Sequence, residues 1–224
     1  MARSKSSYKK KSSKSADVVT KSYLKKNYPK PETKIVGPAD MGNLNLLSPF
    51  VISLTSTRQG DNMNERIGHR IEGKGVSLKM FLHNGNTSAF HVRMMVVEHL
   101  DYSNAIDLNT PLYRTYTAGG NPGTSDFGTA ENNLLQGINT TLFRVVFDKL
   151  FYLSGEGESG PSFVRSNKWL KYKKNIEYLY PTDAEPRKGR LSLCMQCYDA
   201  DGNGIVEPTG IHVGIGALLY YTDV

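Results

Sequence analysis

Cysteine is scarce in this sequence: among 224 residues only Cys194 and Cys197 occur, in a single C-x-x-C motif. A structural zinc site needs four ligands, and no second Cys/His pair stands at a suitable spacing. The motif lies in the strand-like run RLSLCMQCY, where a spacing of three residues places the two side chains on opposite faces. We therefore expect two ordinary thiols, buried or half-buried, in a reducing compartment, and no metal site.

Long apolar runs are absent as well. The N-terminus is basic but no apolar stretch follows it, and no run reaches the roughly 18 apolar residues that a membrane-spanning helix requires. We expect a soluble protein that is not inserted into a membrane and does not follow the secretory route.

Short enzyme motifs are missing too. The chain has no G-x-x-x-x-G-K-[ST], G-x-S-x-G or H-E-x-x-H motif, no G-x-G-x-x-G after a strand, and only scattered histidines. The segment Asp199–Glu207 begins like a calcium loop, but Gly210 stands where that loop needs a bidentate glutamate. These absences predict a protein that is not an enzyme and needs no cofactor, although they do not exclude a catalytic group that only the fold assembles.

Acidic residues are rare in the first 34 residues, which hold two of the 21 acids but eleven of the 28 basic residues. That segment carries a net charge of +9, whereas the rest of the chain holds 17 basic and 19 acidic residues. Its few apolar residues cannot offset the entropy lost when its backbone is ordered. We predict a disordered basic arm over residues 1–40 and one folded domain over residues 41–224.

The residue types of this arm suit contact with nucleic acid. Cations neutralise phosphates and release counterions, and tyrosine rings offer flat surfaces on which unpaired bases stack. The alternative is a solubilising tail or only a nuclear-import signal, because basic runs of this size serve those purposes too. The candidate nucleic-acid-binding residues of the arm are Arg3, Lys5, Tyr8, Lys9, Lys10, Lys11, Lys14, Lys21, Tyr23, Lys25 and Lys26.

Behind the arm, short β-branched and aromatic runs alternate with Gly, Asn, Asp and Pro, which predicts an all-β antiparallel sandwich. Strands are expected within residues 50–57, 66–83, 89–100, 142–153, 167–179, 190–198 and 211–222. Apolar residues at 76, 78, 80 and 82 share one face of the second run, and Gly73 and Gly75 are expected to weaken or bulge its start. The turn Asn84–Asn86 predicts a hairpin between the second and third runs.

Two further segments stand out between these strands. Residues 101–141 are rich in Asn, Thr and Gly, and a connection of this length predicts an exposed decoration or a subunit contact, with one short helix near residues 130–136. In the run that follows, alternation places Phe143, Val145, Phe147, Phe151 and Leu153 on one face.

The run 168–174 is a second candidate nucleic-acid contact, because four lysines surround two aromatic residues. An edge strand protected by lysines against pairing with other chains would have the same pattern. The candidate residues are Lys168, Trp169, Lys171, Tyr172, Lys173 and Lys174.

Four segments follow one another in a recognisable order. They are the basic arm, the segment Arg66–Ile71 that leads into a strand, the run Arg144–Leu153 with an Asp-Lys pair followed by aromatics, and the C-terminal Tyr220–Asp223. In this order they resemble the capsid proteins of circular single-stranded DNA viruses that encode a replication initiator, the circovirus-like group. The resemblance spans nearly the whole chain, although the arm has one Arg among many Lys and Ser where many relatives are Arg-dense.

This resemblance implies an eight-stranded antiparallel jelly roll, sixty copies in a T=1 icosahedral shell, and arms that point inward onto a circular single-stranded DNA genome. It implies a virion protein that reaches the host nucleus through an import receptor for the basic run, and a shell that binds a host cell-surface receptor. Sixty arms at +9 present about 540 positive charges, sufficient for about that many phosphates.

Two other functions stay open at this point. The coat protein of a small satellite-like RNA virus would combine a similar sandwich with a basic arm, and nothing in the sequence distinguishes ribose from deoxyribose. A cellular, monomeric β-sandwich module could bind nucleic acid through its sheet face and the run 168–174.

Overall fold

Eleven β-strands and no helix occur in the part of the chain that the computed structural model describes, which is residues 33–37, 50–62, 64–100, 106–107, 109–116, 122–127, 134–199 and 210–224. The strands are β1 (Lys34–Val36), β2 (Phe50–Ser53), β3 (Arg70–Asn84), β4 (Phe90–His99), β5 (Tyr113–Tyr116), β6 (Pro122–Ser125), β7 (Phe143–Leu153), β8 (Phe163–Lys171), β9 (Asn175–Glu177), β10 (Leu191–Asp199) and β11 (Ile211–Asp223). Within these residues, no helix exists that is long and apolar enough to cross a membrane.

The strands form three antiparallel sheets. Sheet I has the order β1-β11-β3-β8, and β9 also pairs with β3; sheet II has the order β2-β10-β4-β7; β5 and β6 form a third, two-stranded sheet. The predicted all-β, antiparallel class is therefore confirmed, with eleven strands in the described residues. The run 167–179 is divided between β8 and β9, and the first run ends at Ser53 rather than residue 57.

The main core lies between the inward faces of sheets I and II. Alternation along β3 buries Val76, Leu78, Met80 and Leu82, as the sequence predicts, and β4 contributes apolar residues at 90, 92, 94 and 96 to the same cluster. Removing such a side chain from water contributes about 1.5–3 kcal/mol, so this cluster dominates the stability of the sandwich.

The predicted hairpin between β3 and β4 is wrong, because the two strands lie in different sheets. β3 pairs with β11 and β8, and β4 pairs with β10 and β7. Alternation identifies the apolar face of a strand but not its neighbour. Both apolar faces are buried in one core when the turn Asn84–Asn86 carries the chain from one sheet to the other.

A second core covers the outer face of sheet II. Met95 and Val97 of β4 pack there with Cys194, Phe143 and the described part of the connection 101–141, which contributes Ile106, Leu112, Tyr113, Phe127 and Ile138. The prediction of exposed decoration is therefore wrong for these five buried residues, whereas the alternative of a subunit contact stays a prediction. Of the helix expected near residues 130–136, positions 130–133 lie outside the described residues, and residues 134–136 are not helical.

Two β-bulges interrupt the long strands. Tyr220 and Tyr221 of β11 face Gly75 and Gly73, which leaves Lys74 unpaired and confirms the bulge expected at the two glycines. In β7, Val96 and Val97 face Phe147 and Val145, so residue 146 is the extra one. The second bulge reverses the alternation of β7, so the prediction that its apolar residues share one face, interrupted only by Lys149, is wrong: Phe143 packs in the second core, whereas Phe151 and Leu153 pack in the main core.

The Arg66–Ile71 segment is held by one fully buried side chain. The guanidinium of Arg66 lies 3.9 Å from the ring centre of Tyr178, and burial lowers the pKa of this arginine, which nevertheless stays charged at neutral pH. It donates to the backbone carbonyl oxygens of Thr57 (3.4 Å), Gly68, Tyr180 (3.3 Å), Pro181 (3.0 Å) and Asp183 (2.7 Å). Arg66 thus joins three separate segments at one end of the fold.

Candidate nucleic-acid interface

Most of the predicted arm lies outside the described residues. This includes all eleven of its candidate residues, Arg3, Lys5, Tyr8, Lys9, Lys10, Lys11, Lys14, Lys21, Tyr23, Lys25 and Lys26, so the arm stays a prediction. Residues 34–36, which the sequence analysis assigns to the arm, form β1 at the edge of sheet I. The Lys34 ammonium is buried, lies 2.9 Å from an Asp223 carboxylate oxygen and donates to the Glu65 carbonyl oxygen at 2.8 Å. This lysine therefore belongs to the folded unit.

The second candidate run begins on an edge strand. Among the described strands β8 pairs only with β3, and Lys168 stands on the same side of β8 as the buried Leu170 but is exposed. A lysine turned inward on an edge strand hinders pairing with a further strand. Trp169 and Lys171 lie on the other side of β8 and are also exposed. Protection of an edge strand therefore applies to the side of Lys168, and contact with nucleic acid to the side of Trp169 and Lys171.

Two of the six candidate residues in this run have partners inside the protein. Tyr172 is 2% exposed and belongs to the main core, where burial first and Glu98 second raise the pKa of its hydroxyl. The Lys174 ammonium lies 2.9 Å from a carboxylate oxygen of the buried Glu98, which also pairs with Arg144. Lys174 and Lys173 line a surface depression of about 460 Å³ with Lys188 and Glu72. The ring of Tyr172 is therefore not available for stacking in this structure.

Register across sheet I assembles a continuous outer face from three strands distant in sequence. Going along β3, the rows of facing residues are His212–His83–Phe163, Gly214–Phe81–Arg165, Gly216–Lys79–Asn167, Leu218–Ser77–Trp169 and Tyr220–Gly75–Lys171. Ile35 of β1 extends the last row beyond Tyr220. We call the side chains of these five rows the outer face of sheet I.

Aromatic rings lie across this face instead of standing away from it. Phe81 and Phe163 stack with centroids 6.1 Å apart, and Trp169 meets Tyr220 edge-on at 5.1 Å. The rings need room on neighbouring strands: a Cβ at Gly214 would come within 2.1 Å of the Phe81 ring, and one at Gly75 within 2.4 Å of the Trp169 ring. The glycines therefore allow the rings to lie nearly flat on the sheet.

The charge of this face has one sign. Lys79, Arg165 and Lys171 are exposed on it, the Arg165 guanidinium lies 5.8 Å from the Phe163 ring centre, and the five rows contain no acidic residue. Glu72 is the first acid along β3, beyond the Lys74 bulge, where it pairs with Lys74 at 2.7 Å. On this surface, Trp169 and Lys171 are candidate nucleic-acid-binding residues predicted from the sequence, whereas Lys79, Phe81 and Arg165 were not predicted. In β11 the glycines at 214 and 216 alternate with buried apolar residues, a sequence signal for a face with little side-chain bulk. The pairing of β11 with β3 had no such signal in the sequence.

Catalytic and metal-binding chemistry has no comparable cluster in the described residues. No group of three or more His, Cys, Asp or Glu side chains there could hold a metal ion, and the Asp199–Glu207 loop lies outside the description from residue 200 onward. Cys194 packs in the second core and Cys197 in the main core, which confirms that they occupy opposite faces of one strand. Burial raises the pKa of both thiols well above its usual range, which disfavours a nucleophilic thiolate.

No family model matches the chain, and no curated protein matches it either.

Proposed function

We propose that this chain is a viral capsid protein: a jelly-roll domain that assembles into a sixty-subunit shell and packages single-stranded DNA through its basic N-terminal arm. The observation that carries the proposal is the strand order combined with the charge partition. The chain combines an almost neutral sandwich, suited to act as a scaffold, with a preceding segment of net charge +9, suited to bind a polyanion.

The strand pairing supports the jelly-roll part of the proposal. Leaving aside β5, β6 and β9, eight strands remain, and their antiparallel pairs are nested: first with last (β1·β11), second with seventh (β2·β10), third with sixth (β3·β8) and fourth with fifth (β4·β7). One long hairpin of four strand pairs gives this order when it rolls up so that successive pairs alternate between two sheets. The additional pairs β11·β3 and β10·β4 join two of these strand pairs into each four-stranded sheet, as such rolling requires. Double-sheet jelly rolls of eight strands are typical of viral capsids, lectins and cupins.

The arm supports the choice of capsid over the other jelly-roll functions. A shell that encloses a polyanion needs many positive charges on one side and a nearly neutral tile elsewhere, because strongly like-charged tiles would repel at their contacts. The sequence divides its charge in this way, and β1, which follows the charged segment along the chain, lies at the edge of sheet I.

Particle mass distinguishes this proposal from a cellular monomeric module. Sixty chains of 24.9 kDa make a shell of about 1,500 kDa. Light scattering and negative-stain microscopy of the purified full chain should give closed particles near that mass. A single species of one subunit under all conditions that favour assembly would overturn the capsid proposal.

Packaging is tested separately with a charge variant of the arm. Replacing Lys9, Lys10 and Lys11 by glutamine should leave the number of subunits per particle unchanged and lower the nucleic-acid content of the shells. For binding of a labelled single strand, the slope of log K against log salt concentration should become shallower by about 2, at about 0.7 per lysine. An unchanged content and slope would refute the role of the arm. Digestion of the extracted nucleic acid with DNase and RNase decides between the DNA and the satellite-like RNA forms of the proposal.

A further inference from the structure

We infer that the outer face of sheet I is a second nucleic-acid contact, on which bases of a single strand stack against Trp169 and the Phe81–Phe163 pair while Lys79, Arg165 and Lys171 contact phosphates. The inference deepens the proposed function and rests on it, in that nucleic acid is taken as the ligand of the chain. It assigns to the folded unit a binding mode different from that of the arm.

Exposure of the rings is the first argument. Phe81, Phe163 and Trp169 are 40%, 46% and 52% exposed, and together they form an apolar group on the same sheet face. The rings form two pairs, Phe81 with Phe163 and Trp169 with Tyr220, which the Lys79–Asn167 row separates on this face. Exposed aromatic pairs grouped on one face indicate a binding surface, whereas single scattered apolar residues need no partner.

The chemistry of the face selects the ligand. Flat rings with accessible π faces bind unpaired bases of any sequence, and a sheet surface carrying such rings is an established arrangement for single strands. A duplex keeps its bases stacked and presents grooves that a flat sheet does not enter. The three fixed positive charges and the lack of acid among the five rows complement a phosphate backbone.

A second copy of this chain is a poorer occupant of the same face. A two-fold contact would bring Lys79, Arg165 and Lys171 of one subunit against the same three cations of the other, with no carboxylate in the five rows to pair with them. Like charges brought together in an interface are destabilising.

The chain contains its own reporter for this contact, since Trp169 is its only tryptophan. The experiment uses the full chain, at a protein concentration and salt at which light scattering reports single subunits. A fluorescein-labelled oligothymidylate reports binding by any part of the chain through its anisotropy. The unlabelled oligonucleotide, added in a parallel titration, reports contact at Trp169 through quenching of tryptophan emission, because a stacked base quenches the indole.

The inference predicts that emission is quenched over the same oligonucleotide concentrations at which anisotropy rises. Trp169→Leu should weaken binding at least about fivefold without changing the salt slope, because stacking is not electrostatic. The matched control is Tyr180→Leu, which removes an aromatic ring that is 59% exposed outside the face and should leave affinity unchanged.

The charges are tested by a second matched pair of variants. The double variant Lys79→Gln, Lys171→Gln should reduce the salt slope by about 1.4 units, at about 0.7 per lysine, and should weaken quenching in parallel. Its control, Arg58→Gln with Lys188→Gln, removes two exposed cations outside the face and should leave the quenching curve in place.

Each remaining outcome overturns a defined statement. Rising anisotropy with unchanged tryptophan emission would overturn the second contact and leave the proposed arm contact intact. No rise in anisotropy at low salt would overturn both. A blue shift of the emission with protein concentration alone, in the absence of oligonucleotide, would show that another copy covers the face and would overturn the inference.

Discussion

Replacing Arg66 by methionine should destabilise the fold far more than any substitution of an exposed arginine. The guanidinium is fully buried and satisfies carbonyl oxygens from three segments, of which those of Pro181 and Asp183 lie at 3.0 and 2.7 Å. No side-chain carboxylate is among its hydrogen-bond acceptors, so these bonds are its compensation for leaving water. Methionine has a similar length but would leave the carbonyl oxygens without their donor.

The magnitude follows from the bonds that are lost. A hydrogen bond to a charged group contributes about 1.5–3 kcal/mol, and the two longest bonds, to Thr57 and Tyr180, are weak at 3.4 and 3.3 Å. Because such contributions are not additive and the loop 180–183 can admit water, we expect a loss of about 3–5 kcal/mol. In a domain of this size that corresponds to a decrease in Tm of about 6–20 °C.

Thermal and urea unfolding followed by circular dichroism would measure this loss, with the state of assembly held constant. The control is Arg70→Met, which makes the same change four residues away, where the side chain is 48% exposed and its nitrogen lies 4.0 Å from Glu177. That variant should lose less than about 1 kcal/mol. Equal losses of unfolding free energy in the two variants would refute the reasoning, because the loss would then come from the methionine side chain itself and not from removal of the buried guanidinium.

Three further predictions concern single sites. Gly214→Val should cost about 1–3 kcal/mol because its Cβ would overlap the Phe81 ring, whereas Gly216→Val, with no atom within 4 Å of its Cβ, should be tolerated; equal Tm values would refute the close approach. Glu98→Gln should cost about 1–2 kcal/mol by removing the buried charge that pairs with Arg144 and Lys174, measured as a lower urea midpoint at constant m value. Burial raises the pKa of Cys194 and Cys197, so stability should be unaffected below the ordinary thiol pKa of about 9 and should fall above it, where only the unfolded thiols ionise; a Cys194→Ala, Cys197→Ala variant should show a weaker fall between pH 8 and 10.

Alternation made the faces of the strands predictable but not their neighbours. It placed Val76, Leu78 and Met80 in the core and separated Cys194 from Cys197, because side-chain direction alternates along a strand wherever no bulge interrupts it, as one does in β7. Which strands pair depends on contacts between distant parts of the chain, and the hairpin inferred from Asn84–Asn86 failed for that reason.

The connection 101–141 shows a second limit. Its buried residues Ile106, Leu112, Phe127 and Ile138 have irregular spacing, so no helical or strand period identifies them. The informative feature was on β4 instead: Met95 and Val97 are apolar on the face opposite to that of Met94 and Val96. Two apolar faces on one strand indicate that both are covered, and the covering segment had to be the long insertion between β4 and β7.

The candidate interface was only partly accessible from the sequence. Trp169 and Lys171 stand in a dense basic and aromatic run, which composition alone reveals. Lys79, Phe81 and Arg165 are ordinary residues of alternating strands, and they become neighbours of Trp169 only through the register of β3 with β8. In the same run Tyr172 has a composition-based case equal to that of Trp169, yet it is buried.

The attachment of β1 has a mechanical consequence. β1 runs antiparallel to β11 with Lys34 opposite Tyr221, so tension on the chain ahead of residue 33 loads the Lys34 pair before the pairs of Ile35 and Val36. Backbone hydrogen bonds between β1 and β11 that break one after another resist little force. The Lys34 ammonium, held between the Asp223 carboxylate and the Glu65 carbonyl oxygen, adds two contacts at the pair that is loaded first. The two contacts of Lys34 therefore add to the backbone pairing of β1 in holding this edge strand when the arm is under tension.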